Sequence, residues 1–304
     1  MANDMNDIEA KTILGIGAAL LSTFSWALGG ILFKQLGEKL EPLGMTWVKS
    51  SISVLILGVC LLVLRPALPN MAQFWRLVLS GFIGIAIGDT LFFAALGHLS
   101  PLILALLLLA GPDLFSVVLG VLCLGEMPSW QVFVGIFFLV AAISCVVFPL
   151  QISDDEKVKT TVLGVVFGLL SLVATSVSMV IAKPALKEMS VLFATCIRML
   201  AGSVSLLLWG LMSGRIGTWC RPFRQGEYGL KFVGTVAIVT IGGFWLSLYA
   251  VKAVQLAVAS ALMSLEPVLI LPLLMVIEKR WLTRRECCSG LLTLVGIVLI
   301  CLFA

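Results

Sequence analysis

The sequence predicts an all-α integral membrane protein with ten transmembrane helices, arranged as two inverted-topology repeats of five. Three observations predict it. First, 61% of the 304 residues are hydrophobic and only 12% are charged, with a mean hydropathy of +1.15. Soluble domains carry about 25% charged and 45–50% apolar residues, so this chain has too few charges to cover a surface facing water. Second, the apolar residues gather into about ten runs, and about 20 such residues form a helix that crosses about 30 Å of hydrocarbon. Third, the sequence before the polar stretch SDDEKVKTT (153–161) resembles the sequence after it.

The runs lie at 12–33, 43–64, 74–96, 101–124, 130–149, 162–182, 190–212, 230–251, 256–277 and 286–304. The first follows an acidic, polar N-terminus, MANDMNDIEAK, which lacks the basic n-region of a cleaved signal peptide. It is therefore expected to remain as a helix. Backbone groups in lipid must bond within their own segment, so each run reads as a helix rather than a strand. Gly84-x-x-x-Gly88 in the third run and Gly164-x-x-x-Gly168 in the sixth would let helices approach closely. The fourth and ninth runs each contain a proline beside an acid: Pro112–Asp113 and Glu266–Pro267. The predicted units are 12–150, a linker at 151–161, and 162–304.

Residues 14–34 lie over 163–183 without a gap. Leu14, Gly15, Leu20, Leu21, Ser22 and Lys34 fall on Leu163, Gly164, Leu169, Leu170, Ser171 and Lys183. The same register puts Thr46 on Thr195 and Lys49 on Arg198. A slightly larger offset then puts Gly88 on Gly243, Pro112 on Pro267 and Gly135 on Gly290. Five is an odd number, so a duplicated five-helix unit enters the membrane from opposite sides in its two copies.

Composition also excludes functions. A net charge of +4, scattered along the chain, offers no basic face for nucleic acid. Seven of the eight cysteines lie in or beside apolar runs and read as small apolar filler. One histidine rules out a histidine-rich metal site. There is no Walker A motif and hence no built-in ATPase. There is neither a nucleophile–base motif nor a metal cluster, so no enzyme, cofactor or metal is expected.

Charges inside hydrocarbon are costly and usually face a cavity or a partner. Glu266 sits near the middle of the ninth run. The adjacent Pro267 removes a backbone donor, and broken backbone at that depth is tolerated where it lines a cavity or is buried in protein. Glu266 reads either as a substrate-amine contact or proton carrier, or as a structural group bonded across helices. Asp113 is its counterpart, but it follows Pro112 instead of preceding it. That two-position slip turns the side chain by about 200° on a helix, so the two acids need not face one point. Pro112 and Pro267 read as helix breaks. Arg198 suits a carboxylate or phosphate, or an acid such as Asp89. Asp89 follows Gly88 well inside the third run and equally suits Lys49. Lys49 is close enough to a helix end to snorkel. Trp26, Trp245 and Tyr249 lie within runs and would either line a pocket or pack. Trp47, Trp75, Trp130, Trp209, Trp219 and Trp281 lie nearer ends, as belt anchors do. Lys34 and Lys183 end corresponding helices, which suggests anchoring, with a gating role left open. His98 reads as interfacial.

Several residues carry a family resemblance: Trp26 to Lys34 (WALGGILFK), Lys49 with Arg198, and Glu266-Pro267-Val268. Gly125-Glu126 at the end of the fourth run and the late glycines Gly135 and Gly290 also belong to it. Over about 12–303 the chain resembles the drug/metabolite transporter superfamily of EamA type. Two departures stand out. Gly-Pro-Asp replaces the usual Glu-Pro-Val in the first half, and Glu278 comes early after Pro267. The resemblance implies ten-helix exporters or exchangers of small metabolites, amino acids included, with a central site and both termini inside. Charge counting alone puts the N-terminus outside, because the connections on the opposite face hold more Lys and Arg. The orientation implied by the resemblance is the expectation adopted.

The expectation is therefore a secondary transporter in a bacterial inner membrane. Its partners would be a small-molecule substrate, the lipid bilayer, and protons or a counter-solute. Glu266, Asp113, Asp89, Lys49 and Arg198 would supply its charges. A lipid-carrier flippase and a non-transporting scaffold are the alternatives.

Overall fold

The computed structural model describes residues 2–37, 40–65, 70–96, 98, 111–147, 162–224, 229–266, 268–269 and 284–303. Among the described residues there are helices and connections and no strand. The helices are α1 (Ala2–Gly37), α2 (Pro42–Leu64), α3 (Met71–Leu96), α4 (Gly111–Leu124), α5 (Trp130–Val147) and α6 (Val162–Leu186). They continue with α7 (Val191–Met212), α8 (Ile216–Arg224), α9 (Gly229–Ala253), α10 (Leu256–Met263) and α11 (Arg284–Phe303).

Local sequence explains the ends. Pro42 occupies the first turn of α2, where its missing N–H costs nothing. The Asn70 side chain accepts a bond from Ala72 N at 3.2 Å and caps α3. Arg65, with φ 41°, closes α2 in the left-handed region. Leu62, Leu122, Leu230 and many other large apolar side chains lie on the outside. Such a surface is ordinary against lipid and a liability in water.

Among the described residues, six helices are long and apolar enough to cross a membrane: Ala10–Phe33, Pro42–Leu64, Met71–Leu96, Val162–Leu186, Val191–Met212 and Gly229–Ala253. α5 and α11 contain shorter apolar stretches. Residues 101–110 and 270–277, parts of the fourth and ninth predicted runs, lie outside the described residues. Ten full spans are thus not displayed by the described residues. α8 is an addition to the predicted elements, since it falls in the connection expected between the seventh and eighth runs.

Packing across the halves is reciprocal. α1 packs on α9 and α10 of the second half, and α6 packs on α3 and α4 of the first. α2 packs on α7, α4 on α10, and α5 on α11. Two hydrogen bonds repeat the pattern at atomic scale. Ser22 Oγ donates to Gly243 O at 2.9 Å, and Ser171 Oγ donates to Gly88 O at 2.9 Å. These are the serines and glycines that the internal alignment places on each other. α3 and α9 also carry π-helical stretches of equal length, Phe82–Asp89 and Ile238–Trp245. π-helical turns are rare and gather at functional sites.

Close approach of α3 to α7 depends on Gly81. A Cβ there would fall 2.7 Å from Arg198 Cα, and the backbone at Arg198 cannot yield as a side chain would. Gly81→Ala should therefore overpack this contact and lower stability by about 1–3 kcal/mol. At Gly58 an added methyl would meet no atom within 4 Å, so alanine there should be accepted with a gain of about 0.5–1 kcal/mol. Thermal unfolding of the two variants in detergent checks the difference.

Candidate functional site

A cavity of about 110 Å³ lies where the two halves meet. α1 contributes Trp26, Gly30 and Phe33, α2 contributes Lys49, and α3 contributes Gly84, Ile85, Asp89, Phe92 and Phe93. Pro112 of α4, Thr175 and Met179 of α6, and Arg198 of α7 close it, together with Phe244 and Ser247 of α9. Met263 and Glu266 sit at the end of α10. Both π-helical stretches contribute wall residues, so the irregular backbone lines the cavity.

Lys49 does not snorkel. It is 2% exposed, and its ammonium donates to the Asp89 carboxylate, itself 16% exposed. The same nitrogen stands 4.8 Å from the Phe244 ring centroid and 5.3 Å from that of Phe93, placing the cation against two aromatic faces. Trp26 meets Phe244 edge-on at 4.6 Å. The inward turn of Lys49 follows from burial of its helix face, where Thr46, Ser50 and Ser53 are buried too.

Arg198 is 3% exposed. Its Nη2 donates to Ser178 Oγ at 2.8 Å, and Nη1 approaches Met179 Sδ at 3.9 Å. Ser178 is held in turn by Ser80, whose Oγ donates to Ser178 O at 2.7 Å. Arg198 Nε has no hydrogen-bond partner among the described residues. Nor is any described carboxylate within ion-pair distance of the guanidinium, since Asp89 is taken by Lys49. Of the two partners the sequence offered Asp89, the structure pairs it with the lysine. Gly84 leaves the room that Ser178, the partner of the guanidinium, occupies: a Cβ there would lie 2.8 Å from Ser178 Cβ and 3.3 Å from Arg198 Nη2.

Glu266 is 9% exposed and borders the cavity beside Gly30. α10 ends at Met263, and Ser264–Leu265 form a turn just before the glutamate. Regular α-helix is thus interrupted at cavity depth, and Glu266 and Val268–Leu269 are helical again. On the other side, Pro112 O accepts from Ser176 Oγ at 2.6 Å and from Ser116 Oγ at 2.8 Å. Pro267 and the side chain of Asp113 lie outside the described residues.

Two predicted site residues do not line the cavity. Trp245 and Tyr249 pack against the apolar core instead. Phe244 and Ser247 hold the inward face of α9, and each residue turns a helix by about 100°, which carries Trp245 and Tyr249 aside. Trp219 also differs from expectation. It is a buried pin, 2% exposed, with Nε1 donating to Glu41 Oε2 at 3.0 Å. Sequence reasoning missed the phenylalanines Phe33, Phe92, Phe93 and Phe244. Their one signal is that each falls within a few residues or one turn of a charged or glycine position on the same run.

A second buried cluster ties α4, α6 and α10 together. Glu126 Oε1 accepts from Leu256 N at 2.8 Å, and Oε2 accepts from Ala257 N at 3.0 Å. The carboxylate thus caps α10 at the positive end of its dipole. Lys183 Nζ lies 2.9 Å from Glu126 Oε1 and donates to Val251 O and Val254 O at 3.0 and 2.7 Å. The side chain of Lys34, the symmetry counterpart of Lys183, lies outside the described residues.

A helical membrane protein with internal repetition and a charged cavity between its halves is the class that fold and site define. The profile of the EamA-like transporter family matches residues 13–148 and again 162–302, and the chain belongs to that family. It is a multi-pass membrane protein of a transporter family. A comparison with curated proteins returns no match. One solved structure, described only as the crystal structure of a protein, is similar over 95% of this chain and 96% of its own. Its TM-score is 0.69 at 17% sequence identity, a likeness of fold.

Removing one partner of a buried ion pair strands the other, at a cost of about 3–5 kcal/mol. Lys49→Met and Asp89→Leu should each destabilise strongly, and Lys49→Met/Asp89→Leu should recover most of the loss. A double-variant cycle of unfolding in detergent checks the coupling.

Proposed function

We propose that the protein is a secondary transporter that moves a small polar or amphipathic metabolite by alternating access. The observation that carries this reading is the convergence of opposite charges from both halves on one cavity. Lys49 and Asp89 come from the first repeat, Arg198 and Glu266 from the second. Arg198 offers a planar donor set suited to a carboxylate, and Glu266 offers an acceptor for an ammonium. A zwitterion such as an amino acid fits that pairing better than a bare ion. Phe33, Phe92, Phe93 and Phe244 give the rest of the solute an apolar wall.

The proposed architecture has ten membrane helices in two units, 12–150 and 162–304, of inverted topology. Reciprocal packing of α1 on α9 and of α6 on α3 supports it. Movement of one repeat against the other would open the cavity to each side in turn, as inverted repeats do in other transporters. The Glu126–Lys183 cluster would hold one side shut. Export or exchange would be driven by protons, by a counter-solute or by the substrate's own gradient. The setting proposed is a bacterial inner membrane with both termini inside. Asp113 is retained as a candidate beside Pro112.

Purified protein in proteoliposomes tests the reading. A panel of labelled amino acids and other small zwitterions should reveal saturable counterflow of at least one solute. Arg198→Gln and Glu266→Gln should each lower that flux about tenfold or more, the worth of one charge-assisted bond, while the protein still elutes as a folded species. Absence of saturable flux across the panel, or unchanged flux in both variants, would overturn the assignment.

A further inference from the structure

One contact beside the charged cavity is built twice, with its two sides exchanged. The internal alignment places Gly29 on Ser178, and its shifted register places Gly84 on Val239. In the first copy α1 supplies the hollow and α9 the filler, since a Cβ on Gly29 would run into the Val239 side chain. In the second copy α3 supplies the hollow and α6 the filler, since a Cβ on Gly84 would lie 2.8 Å from Ser178 Cβ. An aliphatic side chain is enough to fill this contact, as Val239 shows. The hydroxyl of Ser178 therefore answers a need other than packing. Buried hydroxyls are costly unless they are bonded.

Ser178 on α6 and Ser80 on α3 are both fully buried. Ser80 Oγ donates to Ser178 O at 2.7 Å, and the two hydroxyl oxygens lie 3.1 Å apart. A hydroxyl has one proton and two lone pairs. With the Ser80 proton used on Ser178 O, the Ser178 proton goes to Ser80 Oγ. A lone pair of Ser178 Oγ then accepts from Arg198 Nη2 at 2.8 Å. Two serines from opposite halves thus fix one corner of the guanidinium. Nη1 has Met179 Sδ at 3.9 Å, a weak acceptor, and Nε has no partner among the described residues. The shifted register also places Asp89 on Phe244. The first copy answers its cation, Lys49, with an acid. At the corresponding position the second copy has a phenylalanine, so Arg198 is held there by a hydroxyl and is not neutralised by an acid.

We propose that Ser178 is the positioning residue of the charged cavity. Backed by Ser80 and admitted by Gly84, it fixes the Arg198 guanidinium so that the N–H groups left unused meet the carboxylate of the solute. Phe244, standing where the other copy carries an acid, keeps that charge uncompensated. The inference rests on the transport reading for the class of solute, and it names the side chains that set carboxylate recognition.

The test measures binding rather than flux, as thermal stabilisation of the full protein in detergent by L-leucine and by L-leucinamide. The two probes differ only at the carboxyl group, and their apolar side chain suits the phenylalanine wall. The wild type should bind leucine about tenfold more tightly or better, the worth of one charge-assisted bond, and Arg198→Gln should erase the preference. Ser178→Ala should weaken leucine binding roughly fivefold to tenfold and leave leucinamide unchanged. Ser178→Cys, which keeps a weak acceptor of similar size, should fall between, and it carries the comparison where the alanine variant does not fold. Gly84→Ala, which crowds Ser178, should act as Ser178→Ala does. Ser203→Ala removes a buried 2.8 Å bond to Ser51 outside the cavity and should alter melting without altering the preference. No preference for leucine in the wild type, full preference in the Ser178 variants, or an equal loss in Ser203→Ala would overturn the proposal. A preference that depends on Ser178, without saturable flux of any solute, would uphold the positioning role and sink only the transport reading.

Discussion

The structure depends on keeping four ionisable groups away from hydrocarbon. A charge facing lipid at mid-membrane costs at least about 2.5 kcal/mol and much more by some measures. Lys49, Asp89, Arg198 and Glu266 all lie within helices or turns that cross that depth, and all turn inward to one cavity. Much of the neighbouring backbone is arranged to make that possible. Gly81 lets α3 lie on the backbone of α7 at Arg198, and Gly84 vacates the space filled by Ser178, which holds the guanidinium. The π-helical stretches of α3 and α9 bring Asp89 and Phe244 to the same wall. α10 stops at Met263, and a turn at Ser264–Leu265 precedes the helical residue Glu266, which borders the cavity.

The charges are not equivalent. Lys49 and Asp89 satisfy each other and are backed by aromatic rings, which makes them a structural pair as well as a source of field. Arg198 has a serine, a thioether and no described carboxylate within ion-pair distance. A buried guanidinium in that position gains most from an anion that arrives from outside, because the remaining donors are already desolvated. In the proposed function, the donors that the fold leaves unused at Arg198 are the ones that would receive a ligand carboxylate. The Glu126–Lys183 cluster, by contrast, is heavily bonded and joins three helices at one end of the bundle. A tight end and an incompletely satisfied centre are the two features that the proposed alternating access would use.

Much of the fold is legible in the sequence. The gapless match of Ser22 to Ser171 and the shifted match of Gly88 to Gly243 pick out residues that the structure joins in two symmetry-related hydrogen bonds. They are legible because the same packing problem is solved twice in one chain. Position along a helix is legible as well, whereas direction around it is not. Lys49 lies near enough to an end to snorkel, and only packing of the Thr46–Ser53 face decides that it turns inward. Trp245 and Phe244 are neighbours in sequence and point to different places. Trp219 has the location of a belt residue and is a buried pin, because Gly44 and Gly210, distant in sequence, open a slot for it. The choice of Lys49 over Arg198 as the partner of Asp89 depends on the approach of α2 to α3, which periodicity does not encode.

The central claim is that the cavity between the repeats is wet and reachable from water although it lies within the membrane. Thiol labelling tests it most directly, since only an ionised thiol in water reacts well. Thr175→Cys, in protein whose native cysteines have been replaced, should react with a charged, membrane-impermeant maleimide in intact vesicles. Val59→Cys, on the outer face of α2, should stay unlabelled until detergent is added. If Thr175→Cys reacts only after denaturation, like a residue sealed in a dry core, the account is wrong.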